Sequence, residues 1–131
     1  MKKAGIINRD IATILARMGH TDRIVIADCG LPIPDQVPCI DLSLKLGEPS
    51  FTNVLEVVLE DMVVEKMTLA QEIKINNSAL HDNLTNNYSA INIDYITHEE
   101  LKQQLSHVKA IIRTGEATPY ANVILQSGVL F

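Results

Sequence analysis

Tryptophan is absent from this chain, and other aromatics are scarce: Phe51, Phe131, Tyr88, Tyr95 and Tyr120 are the full set among 131 residues. Few ring faces are on offer for stacking against a ligand. Cysteine is almost missing as well. Cys29 and Cys39 form no CxxC pair, which excludes a disulfide framework and reads most simply as two free thiols in a reducing cytosol. The 11 basic residues are outnumbered by 16 acidic ones and are dispersed, so no basic stripe exists to track a nucleic-acid backbone. No apolar run approaches the length of a bilayer span. The signal-like start Met1-Lys2-Lys3-Ala4-Gly5-Ile6-Ile7 is cut short by Asn8, Arg9 and Asp10. Also missing are a Gly-rich phosphate loop of Walker or Rossmann spacing, an HExxH or Cys/His metal signature, and a GxSxG elbow. The chemistries that depend on those motifs are set aside. Cys29 as a nucleophile is disfavoured, because a small thiol at a strand end usually packs.

What is present is apolar matter. Hydrophobic residues make up 47% of the chain, enough for one core over residues 1–131 with a surplus that suits subunit contacts. No repeat or linker divides it. Asn8 caps a first helix with its stripe at Ile11, Ile14, Leu15 and Met18, and Gly19 stops it. Arg23 to Ala27, rich in β-branched residues, is a buried strand. Leu31-Pro32-Ile33-Pro34-Asp35 is an ordered loop, because its prolines remove donors and fix φ. Cys39 to Leu42 forms a short strand. Ser50 caps a second helix, striped by Phe51, Val54, Leu55, Val58, Leu59 and Met62. Val63 to Ile73 reads as a strand, Asn76-Asn77-Ser78 starts a short polar helix, and Tyr88 to Ile96 alternates as a strand. Thr97-His98-Glu99-Glu100 is a capping box ahead of a helix carrying Leu101, Leu105 and Val108. Lys109 to Arg113 and Ala121 to Gln126 complete the strands. The alternation predicts an α/β fold: a single domain with layered helices around a mixed, largely parallel β-sheet.

The polar residues with chemical potential gather around these elements. His20 follows a helix end, and Asp28 stands where the apolar strand Ile24-Val25-Ile26-Ala27 runs out. Ligands of α/β sheets sit beyond the carboxyl ends of strands, and His and Asp are suited to holding and moving protons near neutral pH. The competing readings are a helix-capping surface histidine and an aspartate that caps its own Asp-Cys-Gly turn. His98 opens a helix with its ring displayed outward, and Lys102 shares its face one turn on, a pair that either binds hydroxyl groups or is solvated. Tyr120-Ala121-Asn122 opens the last strand. At period two, Tyr120 and Asn122 share a face and offer a hydroxyl and an amide to a polyhydroxylated ligand, unless they are only a polar sheet edge. Arg113-Thr114-Gly115-Glu116 reads as a salt-bridged turn, and His81 and His107 as surface residues without partners.

Taken together, His20, the run from Ile24 through Asp28-Cys29-Gly30 to Pro34, Ile112-Arg113-Thr114-Gly115-Glu116 and Tyr120-Ala121-Asn122-Val123-Ile124-Leu125 closely resemble the RbsD-like family of D-ribose pyranases, which also includes fucose mutarotases. The resemblance spans essentially the whole chain. It implies interconversion of the β-pyranose and β-furanose forms of D-ribose in support of a ribose kinase, without metal or organic cofactor. It implies a cytoplasmic homodecamer of two stacked pentameric rings with the site between neighbouring subunits. His20 would be the proton donor, and Asp28, His98 and Tyr120, Ala121 and Asn122 would bind the sugar. A fucose-type mutarotase and a non-catalytic sugar-binding module associated with ribose transport are the alternatives. The scarcity of aromatics favours a small pentose.

Overall fold

Alternation of apolar side chains along the strands organises the molecule, because most strands feed two cores. The computed structural model describes residues 1–131. In β1 (Arg23–Ala27), Ile24 and Ile26 point to one face while Val25 and Ala27 point to the other. The same division recurs in β5 (Ile111–Arg113), where Ile112 and Ile111 separate, and in β6 (Val123–Ser127), where Val123 and Leu125 oppose Ile124. With β2 (Cys39–Asp41), β3 (Val64–Ala70) and β4 (Asn92–Ile96) they form one six-stranded sheet, ordered β2-β5-β1-β6-β3-β4.

Helices cover both faces. The larger core takes Ile11 of α1 (Arg9–Arg17), Phe51, Val54, Leu55 and Val58 of α2 (Phe51–Asp61), Ile73 of α3 (Ile73–Asn76), and Leu80 and Leu84 of α4 (Ser78–Asn87). The smaller core takes Leu101 of α5 (His98–Gln104) and Leu105 of the 3-10 turn that follows it. The layered α/β architecture expected from the alternation is therefore what the chain adopts.

The sheet is mixed because of one strand. β1 and β2 both run parallel to β5, and β3 runs parallel to β4, whereas β6 is antiparallel to its neighbours β1 and β3. The register aligns Ala27 with Arg113, Ile26 with Val123, Leu69 with Val123 and Ala70 with Ile96. One edge of the sheet thus collects the carboxyl ends of β1, β3, β4 and β5 together with the start of β6. Topology brings Asp28, Glu72, His98 and Tyr120–Asn122 to that edge.

Local signals explain most boundaries. Asn8 Oδ1 accepts from the N–H groups of Asp10 and Ile11, and Ser50 Oγ accepts from Asn53. Several boundaries differ from expectation: β5 begins at Ile111 rather than Lys109, β6 at Val123 rather than Ala121, and α5 gives way to a 3-10 turn at Leu105; two further differences have a local cause. The strand predicted over Tyr88 to Ile96 begins only at Asn92, because Tyr88 O accepts from Ile91 N–H and closes a turn there. Ile73, expected at the end of a strand, opens α3 instead and is fully buried in the larger core.

Candidate functional site

Asp28 leaves β1 at the sheet's carboxyl edge and is fixed by two neighbours. Its Oδ1 accepts from Gly30 N–H at 2.9 Å, the self-capping turn that Asp-Cys-Gly favours. Its Oδ2 accepts from Asn122 Nδ2 at 3.0 Å, while Asn122 Oδ1 accepts from Asp28 N–H at 2.9 Å. Asn122 has no solvent exposure, so this reciprocal pair satisfies the amide and aims the carboxylate. A carboxylate has about four acceptor positions, and this pattern leaves Asp28 capacity to accept ligand hydroxyls.

Tyr120 and Asn122 do not share a face by strand alternation, contrary to the period-two expectation. Tyr120 sits before β6 in the left-handed region at φ 57, and its carbonyl accepts from Asn122 N–H at 2.9 Å. A tyrosine pays about 1–2 kcal/mol for that conformation. Asn77 holds the turn, with Nδ2 donating to Pro119 O at 2.9 Å and to Thr118 Oγ1 at 3.0 Å. The tight turn delivers a ring at Tyr120, a buried methyl at Ala121 and a buried amide at Asn122 to one spot.

His98 begins α5 but is not displayed outward as expected. It is half-buried, and its ring meets that of Tyr120 edge-on, with centroids 5.1 Å apart and planes at 81°. Its main-chain N–H donates to Glu72, whose two carboxylate oxygens lie 2.8 and 3.2 Å away. Thr97 Oγ1 accepts from Glu100 N–H at 3.1 Å, so the cap predicted from Thr97 forms. Lys102 turns to Glu99 at 2.6 Å, which holds the Glu99 carboxyl below its ordinary value.

Behind the cluster, Thr114 is buried and donates to Ala27 O at 2.8 Å. The expected Arg113–Glu116 salt-bridged turn does not form. Arg113 reaches Asp41 at 3.0 Å and the Cys29 carbonyl at 3.0 Å, and Glu116 accepts from Phe51 N–H at 3.0 Å, at the start of α2. His81, expected to lack a partner, has Nε2 2.7 Å from Tyr95 Oη.

His20 lies elsewhere. It precedes β1, at the opposite edge of the sheet from Asp28, and β1 alone carries the chain about 13 Å between them. Nε2 of His20 is 3.0 Å from Glu65 Oε2, with the His20 side chain 52% exposed. Glu65 Oε1 accepts from Gln126 Nε2 at 2.7 Å; that bond first, and the His20 bond second, draw the Glu65 carboxyl below its ordinary value. One chain thus brings Asp28, His98, Tyr120, Ala121 and Asn122 together and keeps His20 apart. Glu65, Glu72 and Asn77 were not legible in the sequence: each is an ordinary polar residue whose partner is distant in the chain. A cleft of about 730 Å³ between α2 and α4, lined by residues including Glu56, Glu60 and Tyr88, holds none of these groups.

The RbsD / FucU transport protein family matches residues 1–130. This chain belongs to that family. It is 57% identical to a D-ribose pyranase of Bacillus cytotoxicus and 60% identical to one of Halalkalibacterium halodurans, in each case over the whole of both chains. The structure of Bacillus subtilis RbsD complexed with D-ribose shares 56% identity, covers 100% of both chains and superposes with a TM-score of 0.98. The chain thus shares the fold of that ribose-bound RbsD over its whole length.

Proposed function

We propose that this protein is an isomerase that interconverts the β-pyranose and β-furanose forms of D-ribose. The observation that carries the reading is the convergence of Asp28, His98, Tyr120 and Asn122 at the carboxyl edge of the sheet. The likeness to D-ribose pyranases over the whole chain supports it, as does that to a ribose-bound RbsD. Opening a pyranose requires a proton delivered to the ring oxygen and one removed from the anomeric hydroxyl. Closing a furanose requires a different hydroxyl to attack the free aldehyde. His20 acts as the proton donor. Asp28 accepts from sugar hydroxyls, and the Tyr120–Asn122 turn and His98 orient the open chain for reclosure. The reaction moves protons, breaks one C–O bond at the anomeric carbon and forms another there, so general acid–base chemistry and positioning suffice.

His20 reaches the sugar from a neighbouring subunit. Its separation from Asp28 within one chain supports this, and so do the exposed apolar side chains Leu44, Leu46, Leu130 and Phe131, which suit subunit contacts. The assembly is a homodecamer of two stacked pentameric rings, as the family resemblance implies. The free thiols Cys29 and Cys39 suit a cytoplasmic setting, where the furanose would feed a ribose kinase.

Exchange between the pyranose and furanose signals of ribose, followed by NMR, tests the reading. The native protein accelerates exchange, and His20→Ala removes about 10²–10⁴-fold of that acceleration while ribose still binds. Unchanged exchange in the variant would remove His20 from the mechanism. No acceleration by the native protein would leave only a sugar-binding module. Running fucose beside ribose distinguishes a fucose-type mutarotase, which would act on the former.

A further inference from the structure

The two ring nitrogens of His98 live in different surroundings. Nδ1 is shut off from solvent and has no hydrogen-bond partner, the one side-chain atom in the chain in that condition. Nε2 is not enclosed in this way. The residue is held from two sides, by Glu72 on its main-chain N–H and by the ring of Tyr120 on its edge. Glu72 is thus engaged with the backbone, and Glu99, the next residue of α5, is engaged by Lys102 at 2.6 Å. Neither carboxylate takes a proton from Nδ1.

A buried N–H with nothing to donate to is rare in proteins, and a buried unpaired cation is rarer. An imidazolium places an N–H on Nδ1, as does one of the two neutral tautomers. The other tautomer leaves Nδ1 as a bare lone pair, with no N–H buried without an acceptor, which makes it the least costly form to enclose without a partner. That tautomer carries its proton on Nε2, the nitrogen that is not enclosed.

We propose that His98 is held as the neutral Nε2–H tautomer and serves as a fixed hydrogen-bond donor to a sugar oxygen, neither accepting nor releasing a proton during the reaction. The proposal rests on the pyranose–furanose reading of the same site and refines it. The sugar atom opposite Nε2 must present a lone pair, so it is the ring oxygen, the carbonyl oxygen of the open chain, or a hydroxyl oxygen whose own hydrogen points elsewhere. The site then has complementary poles. Asp28 accepts, His98 donates, and the mobile proton is left to His20.

Long-range proton–nitrogen NMR on ¹⁵N-histidine protein reads the tautomer directly, and the His98 signals are assigned by their loss in His98→Gln. The expected pattern at neutral pH is an unprotonated Nδ1 and a protonated Nε2. A protonated Nδ1, alone or with a protonated Nε2, overturns the proposal. A second measurement uses two amides. The side-chain NH₂ of His98→Gln reaches about as far as Nε2, and that of His98→Asn reaches only as far as Nδ1. Ribose titration is expected to show the Gln variant within about 3-fold of native affinity and the Asn variant weaker by about 10-fold or more. Equal losses, or the reverse order, overturn it too. The native sample is assayed for ribose ring exchange alongside. If exchange is not accelerated, the functional reading fails whatever the tautomer. If it is accelerated and the tautomer is wrong, only this assignment fails.

Discussion

Asn122→Asp changes a single side-chain group, from NH₂ to oxygen, on a fully buried residue of the site. In the native chain Nδ2 donates to Asp28 Oδ2 at 3.0 Å and Oδ1 accepts from Asp28 N–H at 2.9 Å. The substitution keeps the second bond and turns the first into two facing carboxylate oxygens. Carboxylates that close cannot both ionise, so one retains a proton and an O–H···O bond replaces the lost N–H···O bond. The folded pKa of the pair is then raised above the unfolded value of about 3.9. Holding that proton at pH 7 costs about 4 kcal/mol, which caps the penalty, and at pH 5 it costs about 1.5 kcal/mol. With the folded pKa raised, the pair is at no disadvantage below about pH 4, and its deficit grows as pH rises until the folded pKa is passed. Asp28 is half-buried, and solvent screening trims the change, so the gap between variant and parent should widen by about 1–2.5 kcal/mol from pH 5 to pH 7. Urea unfolding of both proteins at one protein concentration measures it. A gap that is equal at the two pH values, or narrower at pH 7, would refute the reasoning.

Three further outcomes are expected. Gly115→Ala puts a Cβ against the carbonyl oxygens of Glu48 and Lys45; it should cost about 1–3 kcal/mol and lower the thermal midpoint, and an unchanged midpoint would contradict that packing. Glu72→Ala removes the acceptor for His98 N–H and should cost about 0.5–2 kcal/mol of stability together with a weaker ribose titration. Glu72→Gln should recover much of both, and an alanine variant that binds ribose as the parent does would rule out a positioning role. Glu65→Gln removes the carboxylate that holds His20 while leaving an oxygen for Gln126, and should slow ring exchange less than His20→Ala does. Exchange at the native rate would make the His20–Glu65 contact incidental.

Elements governed by neighbours in sequence were legible. Asn8, Ser50 and Thr97 are hydroxyl or amide acceptors one residue before the first helical residue, and each caps its helix as local chemistry requires. The strands of the double-sided core announced themselves through runs such as Ile24-Val25-Ile26-Ala27. Contacts across the chain were not legible. Glu116 serves the start of α2 from 65 positions away, and Glu72 serves His98 from 26. No local pattern distinguishes those glutamates from surface ones. The Tyr120–Asn122 turn was misread for a related reason: period two describes extended backbone, and Asn77 pins Tyr120 in a left-handed turn just ahead of β6. For His20 and Asp28, closeness in sequence concealed the distance that an intervening strand imposes.

That distance has a practical corollary. If the proposed donor crosses between subunits, subunits that lack His20 and subunits that lack Asp28 would each be inactive alone, but random reassembly of the two kinds would create some junctions with an intact donor facing an intact acceptor. A mixture of two dead proteins should therefore regain partial turnover, in the proportion that chance pairing allows, whereas a donor and acceptor confined to one polypeptide would give no such complementation.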